Sequence, residues 1–140
     1  MTFAEAVFVL LVLLQAKHFL ADFVFQPAWM YKNKGTFGHP GGIVHALVHG
    51  LATCAILALL PWQAKMTSAG ITLVICYIGM AEFAIHYIVD WGKVNWNNHY
   101  NWGPTTSENF WKLLGFDQLL HQWTYIFIVV VYFKVWVAFT

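Results

Sequence analysis

Four pairs of imidazole and carboxylate residues interrupt this otherwise apolar chain: His18 with Asp22, His45 with His49, His86 with Asp90, and Asp117 with His121. Each pair has the spacing i, i+4, so on a helix its two side chains share one face, one turn apart. Neutral imidazole and carboxylate together suit zinc, with manganese or iron as alternatives. A tetrahedral zinc takes about four ligands, so eight candidates fit two ions, or one ion with a generous polar surround. Three buried carboxylates lacking a counter-charge would be strongly destabilised, and two divalent ions would more than neutralise them. Two metals a few Å apart acidify a bridging water and clamp the oxygens of a phosphoryl group. Hydrolysis of a phosphoester or a related ester is the chemistry this set predicts.

Four more residues fall where they would assist. Glu82 lies one turn before His86 on the same face, placed to support the ligands or act as a general base. Gln26 continues the face of His18 and Asp22 by one turn. Lys93, three residues past Asp90, is placed to hold an anionic head group, and Gln118 adjoins Asp117. The other polar residues read more plainly. His39 and His99 fall in connectors, Lys17 and Lys134 are expected to snorkel to a polar surface, and Cys54 and Cys76 are expected to be buried and unpaired.

The elements that must position these groups are membrane helices. The chain has 140 residues, 60% of them hydrophobic and only 9% charged, where a soluble domain is about one quarter charged. Its net charge is +1 and it has no arginine, so nucleic-acid binding has no electrostatic support. A span needs roughly 20 residues. Four segments qualify, at about 3–25, 41–60, 68–94 and 107–139, in one integral membrane domain covering 1–140. The first lacks a basic n-region and a cleavage site, so it reads as a span and not a signal peptide. The connectors are Gln26 to Pro40, Pro61 to Thr67, and the Asn-rich Asn95 to Thr106. Thr105 and Glu108 have capping-box spacing at the start of the last helix, whose first two turns are expected at the interface.

The predicted fold is all-α: a four-helix transmembrane bundle running up-down-up-down. That topology brings all four pairs to one side of the membrane at similar depth. Ionisable groups in membrane segments are costly and mark function. A repeat is visible as well. His18-Phe-Leu-Ala-Asp22 matches His86-Tyr-Ile-Val-Asp90, and His45-Ala-Leu-Val-His49 matches Asp117-Gln-Leu-Leu-His121. Two repeated hairpins would be related by an axis normal to the membrane. Trp29, Trp91, Trp96, Trp102 and Trp111 read as an interfacial belt. Lys32, Lys34, Lys93 and nearby Lys112, against Lys65 and Lys134, point the site to the cytoplasm with both termini outside.

The chain resembles a family of small, uncharacterised integral membrane proteins of bacteria and their phages. The matching stretches are His18-Phe19-Leu20-Ala21-Asp22-Phe23 with Gln26, Trp29-Met30, and Asn33-Lys34-Gly35. They continue with His45 and His49, His86 to Asp90 with Lys93, and Asp117-Gln118 with His121. The resemblance implies a fold and a shared polar constellation, in a bacterial inner membrane. In ligand style the pattern is distantly similar to membrane-bound metal-dependent hydrolases.

The expected function is a membrane-embedded, metal-dependent hydrolase, with two zinc ions, acting on a lipid or lipid-linked phosphoester. A chain this small is also expected to pair as a homodimer. The alternatives are a transporter for a divalent metal or for protons, and a non-enzymatic membrane protein with a structural metal. Carriers place their site near the midplane with access from both faces. Di-iron bundles supply Glu and Glu-x-x-His, where this chain offers Asp at i, i+4.

Overall fold

The computed structural model describes residues 2–60 and 68–138. Its elements are α1 (Phe3–Phe19), prolonged by a π-helical turn (Leu20–Val24), then α2 (Ala28–Tyr31), α3 (Pro40–Leu59), α4 (Ser68–Tyr100) and α5 (Glu108–Ala138). The expected connector from Pro61 to Thr67, with Lys65, lies outside the described residues, as does Phe139 at the end of the last expected helix. Four segments are long and apolar enough to cross a membrane: Phe3–Val24, Pro40–Leu59, Ala69–Tyr100 and Glu108–Val135. The protein is an all-α, four-helix membrane bundle.

Each long helix packs on its neighbours in sequence, and α5 closes the ring against α1. This order sets α1 diagonally opposite α4, and α3 opposite α5. It is the arrangement that a two-fold axis along the bundle would give to two repeated hairpins.

Among the described residues, one half of the interior is largely apolar. Leu10 and Leu14 of α1, Leu57 of α3, Ile75 and Ile78 of α4, and Ile128 and Phe133 of α5 form its core. Outward positions such as Phe8, Leu51, Tyr77 and Phe127 are also apolar and exposed, as a lipid-facing surface requires. Helices α3 and α4 meet most closely at Gly50, where a Cβ would lie 2.6 Å from the Gly79 carbonyl oxygen. Small residues permit such backbone approach between membrane helices. Cys54 and Cys76 are both unpaired, but Cys54 is only half-buried and Cys76 is exposed, where burial was expected of both.

The helix ends explain several departures from expectation. Thr2 and Glu5 form a capping box that starts α1. His39 caps α3, its Nδ1 accepting from the Gly41 N–H at 3.0 Å. Helix α4 runs past residue 94 to Tyr100, although Asn is a weak helix former. Tertiary contacts override the propensity, since Asn95 Nδ2 donates to the Gly35 carbonyl at 2.9 Å and Asn97 is buried. The helix then ends in a Schellman motif. Asn101 takes φ 55°, and the Trp102 N–H reaches the Asn97 carbonyl at 2.8 Å. The expected Thr105–Glu108 box is replaced by Ser107, whose Oγ accepts from the Asn109 N–H at 3.2 Å. Helix α2, inside the first connector, was not foreseen; Pro27 precedes its first residue.

Candidate metal centre

Directly above the apolar core, Lys17 does not snorkel. It is buried, ion-pairs with Glu82, and donates to the His49 carbonyl at 3.4 Å. Its ammonium also lies 4.7 Å from the centroid of the Tyr125 ring. Lys134, by contrast, stays exposed. Glu82 is therefore the counter-ion of Lys17, beneath the cluster. Removing either partner would leave an uncompensated buried charge.

Above this pair the four ligand pairs converge. The side chains of all eight residues are buried. Asp22 sits in the π-helical turn and points across to α3 and α4. Its Oδ1 lies 2.8 Å from His45 Nε2, 3.4 Å from His49 Nε2 and 3.8 Å from His86 Nε2. A π-turn inside a membrane span is a device often found at functional sites. The His45 and His86 Nε2 atoms are 2.9 Å apart, and the His49 and His86 rings stack at 3.7 Å between centroids. Asp90 Oδ2 lies 3.3 Å from both His45 Nε2 and His86 Nε2. On α5, Asp117 Oδ1 lies 3.4 Å from His121 Nε2.

Three overlapping groups offer ligand atoms within 4.8 Å of one another: Asp22, His45, His49 and His86; His18, His86 and His121; and Asp90, Asp117 and His121. The sequence repeat makes sense of them. It equates His18 with His86, Asp22 with Asp90, His45 with Asp117, and His49 with His121. The first group thereby maps onto Asp90, Asp117, His121 and His18. On this mapping the eight ligands divide into two sets of four, each built from both ligands of one helix, an Asp from one neighbouring helix and a His from the other.

The two sets are not equally ready. The first has a tetrahedral number of ligands already together. In the second, His18 is engaged at both nitrogens. Its Nε2 lies 3.0 Å from Gln118 Oε1, whose own Nε2 donates to Asp117 at 3.1 Å. That leaves His18 Nδ1 to accept from the Tyr125 hydroxyl at 2.9 Å. Gln26 Nε2 lies 2.9 Å from His45 Nδ1, the nitrogen turned from the cluster. A carboxamide there can serve either imidazole tautomer by turning over, so His45 Nε2 stays available to a cation.

The donor chemistry fits a cation. His49 Nε2, Asp117 Oδ1 and His121 Nε2 are buried without a hydrogen bond, whereas Asp22 Oδ1 and Asp90 Oδ2 meet His45 Nε2 at 2.8 Å and Lys34 Nζ at 2.7 Å. Orphaned buried polar atoms are rare and costly. Here three of them converge with two carboxylate oxygens, and all are metal-ligand types.

Lys34 changes the charge argument. The carboxylates are not without counter-charge, as the sequence suggested. Lys34 is buried, with Nζ 2.7 Å from Asp90 and 3.5 Å from Asp22. Lys93 Nζ lies 2.8 Å from Asp117 and 3.3 Å from Asp90. Three carboxylates against two ammonium groups leave one negative charge, which a single divalent ion already reverses. A second ion in the other set would have to draw Asp117 away from Lys93. Lys34 was missed because a lysine in a polar connector reads as a solvated charge. Its delivery depends on Gly35, where a Cβ would lie 2.6 Å from Val94 Cγ1. Tyr125 and Asn97 were missed too, although Tyr125 continues the Asp117–His121 stripe by one turn and Asn97 follows Lys93 by one turn. His99 is exposed at the end of α4, as a connector residue would be.

Among the described residues three cavities approach the centre, the smallest of about 210 Å³ between α4 and α5 at Lys93 and Asp117. Another, of about 290 Å³, lies on its aqueous side and is lined by Gln26, Lys34, Lys93, Asn97 and Trp102 among others. The third, of about 430 Å³, is an apolar groove between α1 and α3 that reaches His45.

The family model described as "Protein of unknown function (DUF3307)" matches residues 8–140. The chain belongs to the DUF3307 family. No curated protein and no solved structure matches this DUF3307 chain.

Proposed function

We propose that this DUF3307 protein is a membrane-embedded, metal-dependent hydrolase of a lipid or lipid-linked phosphoester, with zinc as the metal. The observation that carries the reading is the set of orphaned imidazole and carboxylate atoms converging inside the bundle. Asp22, His45, His49 and His86 would hold the first ion; Asp90, Asp117, His121 and His18 would hold a second, more weakly. Bound there, the metal supplies Lewis acidity toward water and a phosphoryl oxygen. The chain's own groups do the rest. Gln26 orients His45, Gln118 orients Asp117 and His18, and Lys93 faces the approaching anion. Hydrolysis adds water across one P–O bond, with oxygen going to phosphorus and a proton to the departing alcohol.

The apolar groove between α1 and α3 favours a substrate with a hydrocarbon chain. It is lined by Leu13, Leu20, Val48 and Ile56 and ends at His45, so a chain lying in it brings its polar end to the cluster. A transporter is disfavoured. Among the described residues, the half of the bundle beyond Lys17 and Glu82 is packed with Leu10, Leu14, Leu57 and Ile128 and offers no polar path.

We place the protein in a bacterial inner membrane, like the small bacterial and phage proteins it resembles, with the site toward the cytoplasm. Because Lys34 and Lys93 are held in ion pairs, that orientation rests on Lys32 and Lys112 against Lys134.

Purified protein stripped of metal should lose phosphoesterase activity on lipid substrates and regain it with zinc. Full activity after Asp22→Ala combined with Asp90→Ala would rule the reading out.

A further inference from the structure

The cavity on the aqueous side of the cluster has a composition of its own. Its floor carries two ammonium groups, Lys34 and Lys93, and its polar walls carry Gln26, Tyr31 and Asn97, with Trp102 beside them. Each lysine already faces two carboxylates, at 2.7 and 3.5 Å for Lys34 and at 2.8 and 3.3 Å for Lys93. An ammonium has three protons, so each retains one donor for another anion. A single divalent ion in the cluster turns its net charge positive, which favours an anion at this floor.

Asn97 supplies the second observation. It is only 9% exposed, it lines the cavity, and its Oδ1 has no hydrogen-bond partner. A carbonyl oxygen accepts and does not donate, so it cannot bind a phosphate oxygen. In this orientation it calls for a hydroxyl, whereas a turned carboxamide would donate to phosphate, and comparing a polyol phosphate with inorganic phosphate separates the two. The walls are completed by Val94, Phe110 and Leu114, which suit the carbon skeleton of a small polyol. At about 290 Å³ the cavity falls at the low end of small-molecule sites, too small for a nucleotide-sized head group.

We propose that this cavity is a head-group pocket for a small phosphorylated polyol. Lys34 and Lys93 take the phosphate, and Asn97 Oδ1 accepts from a polyol hydroxyl. The inference rests on the hydrolase reading and deepens it by naming the head-group class. The same chemistry could be offered by a lipid head group or by a free polyol phosphate. Gln26 joins this pocket to the apolar groove through His45, which favours the lipid source.

The test is calorimetric titration of zinc-loaded protein in phosphatidylcholine nanodiscs with glycerol 3-phosphate, and separately with inorganic phosphate. Glycerol 3-phosphate should bind about tenfold more tightly, the value of one added buried hydrogen bond. Asn97→Leu should erase that preference and leave inorganic phosphate binding and zinc content unchanged. Phosphatidylglycerol in the nanodisc should compete with glycerol 3-phosphate; absence of competition assigns the pocket to a free polyol phosphate. Equal affinity of wild-type protein for the two ligands would overturn the proposal, and that comparison needs no variant to fold. A preference that survives in Asn97→Leu would overturn it as well. Phosphate released during the titration is assayed alongside, so heat of binding is separated from any turnover and the two readings fail separately. An inert protein that prefers glycerol 3-phosphate loses only the hydrolase reading, and an active one with no such preference loses only the pocket.

Discussion

Below Lys17 the four helices meet through Leu10, Leu14, Leu57, Ile75 and Ile128. Above it they meet through five imidazoles, three carboxylates and the ammonium groups of Lys34 and Lys93. The lower half is complete in itself, packed by side chains and by close backbone approach at Gly50. The upper half leaves His49 Nε2, Asp117 Oδ1 and His121 Nε2 without hydrogen bonds, and cations would satisfy them. The same four helices thus carry a self-sufficient anchor at one end and an unsatisfied polar site at the other. Lys17 with Glu82 marks the boundary, where charge first enters the interior.

This contrast can be broken most severely at the boundary. Lys17→Met leaves Glu82 buried and unpaired, and should cost about 3–5 kcal/mol of stability. Unfolding in detergent would measure it, and the further change Glu82→Leu should recover most of the loss. A single variant as stable as wild type would show that the pair does not hold the two halves together. In the lower half, Leu14→Ala should cost about 2–5 kcal/mol, equally with zinc and with chelator, and leave zinc stoichiometry unchanged. Asp22→Ala should show the opposite pattern, losing the rise in melting temperature that zinc gives the wild type. A smaller effect is expected at the support of a ligand. Gln26→Ala should weaken zinc binding about 10–100-fold in competition with a chelating dye while the protein stays folded. Smallest of all is the exposed Lys112–Glu108 pair at 3.7 Å. Lys112→Ala should leave both melting temperature and zinc affinity where they are.

The two halves were also unequally legible in the sequence. Four apolar segments announce four spans, and ligand types at i, i+4 within them announce a shared depth. The lower core follows from hydropathy alone. The upper site followed only where its residues lie on helices, because a stripe has a period and a loop has none. Lys34 arrives from a connector, and nothing in its type separates it from the exposed Lys32. Yet three carboxylates inside the spans demand counter-charge, and the nearby lysines were the available source. The end of α4 was placed too early because propensity was read without the loop that binds Asn95. The face running through Glu82, His86, Asp90 and Lys93 continues to Asn97, and following it would have carried the helix onward. Lys17 looked like a snorkelling residue because its partner, Glu82, lies 65 positions away in sequence.

Anomalous diffraction at the zinc edge from crystals of the purified, zinc-loaded protein would decide the central claim. The account predicts a first, fully occupied ion about 2.0–2.2 Å from nitrogen atoms of His45, His49 and His86 and from a carboxylate oxygen of Asp22. It predicts a second, weaker ion among Asp90, Asp117, His121 and His18. Crystals with no anomalous peak among these eight side chains, or with zinc bound only at the surface, would contradict it.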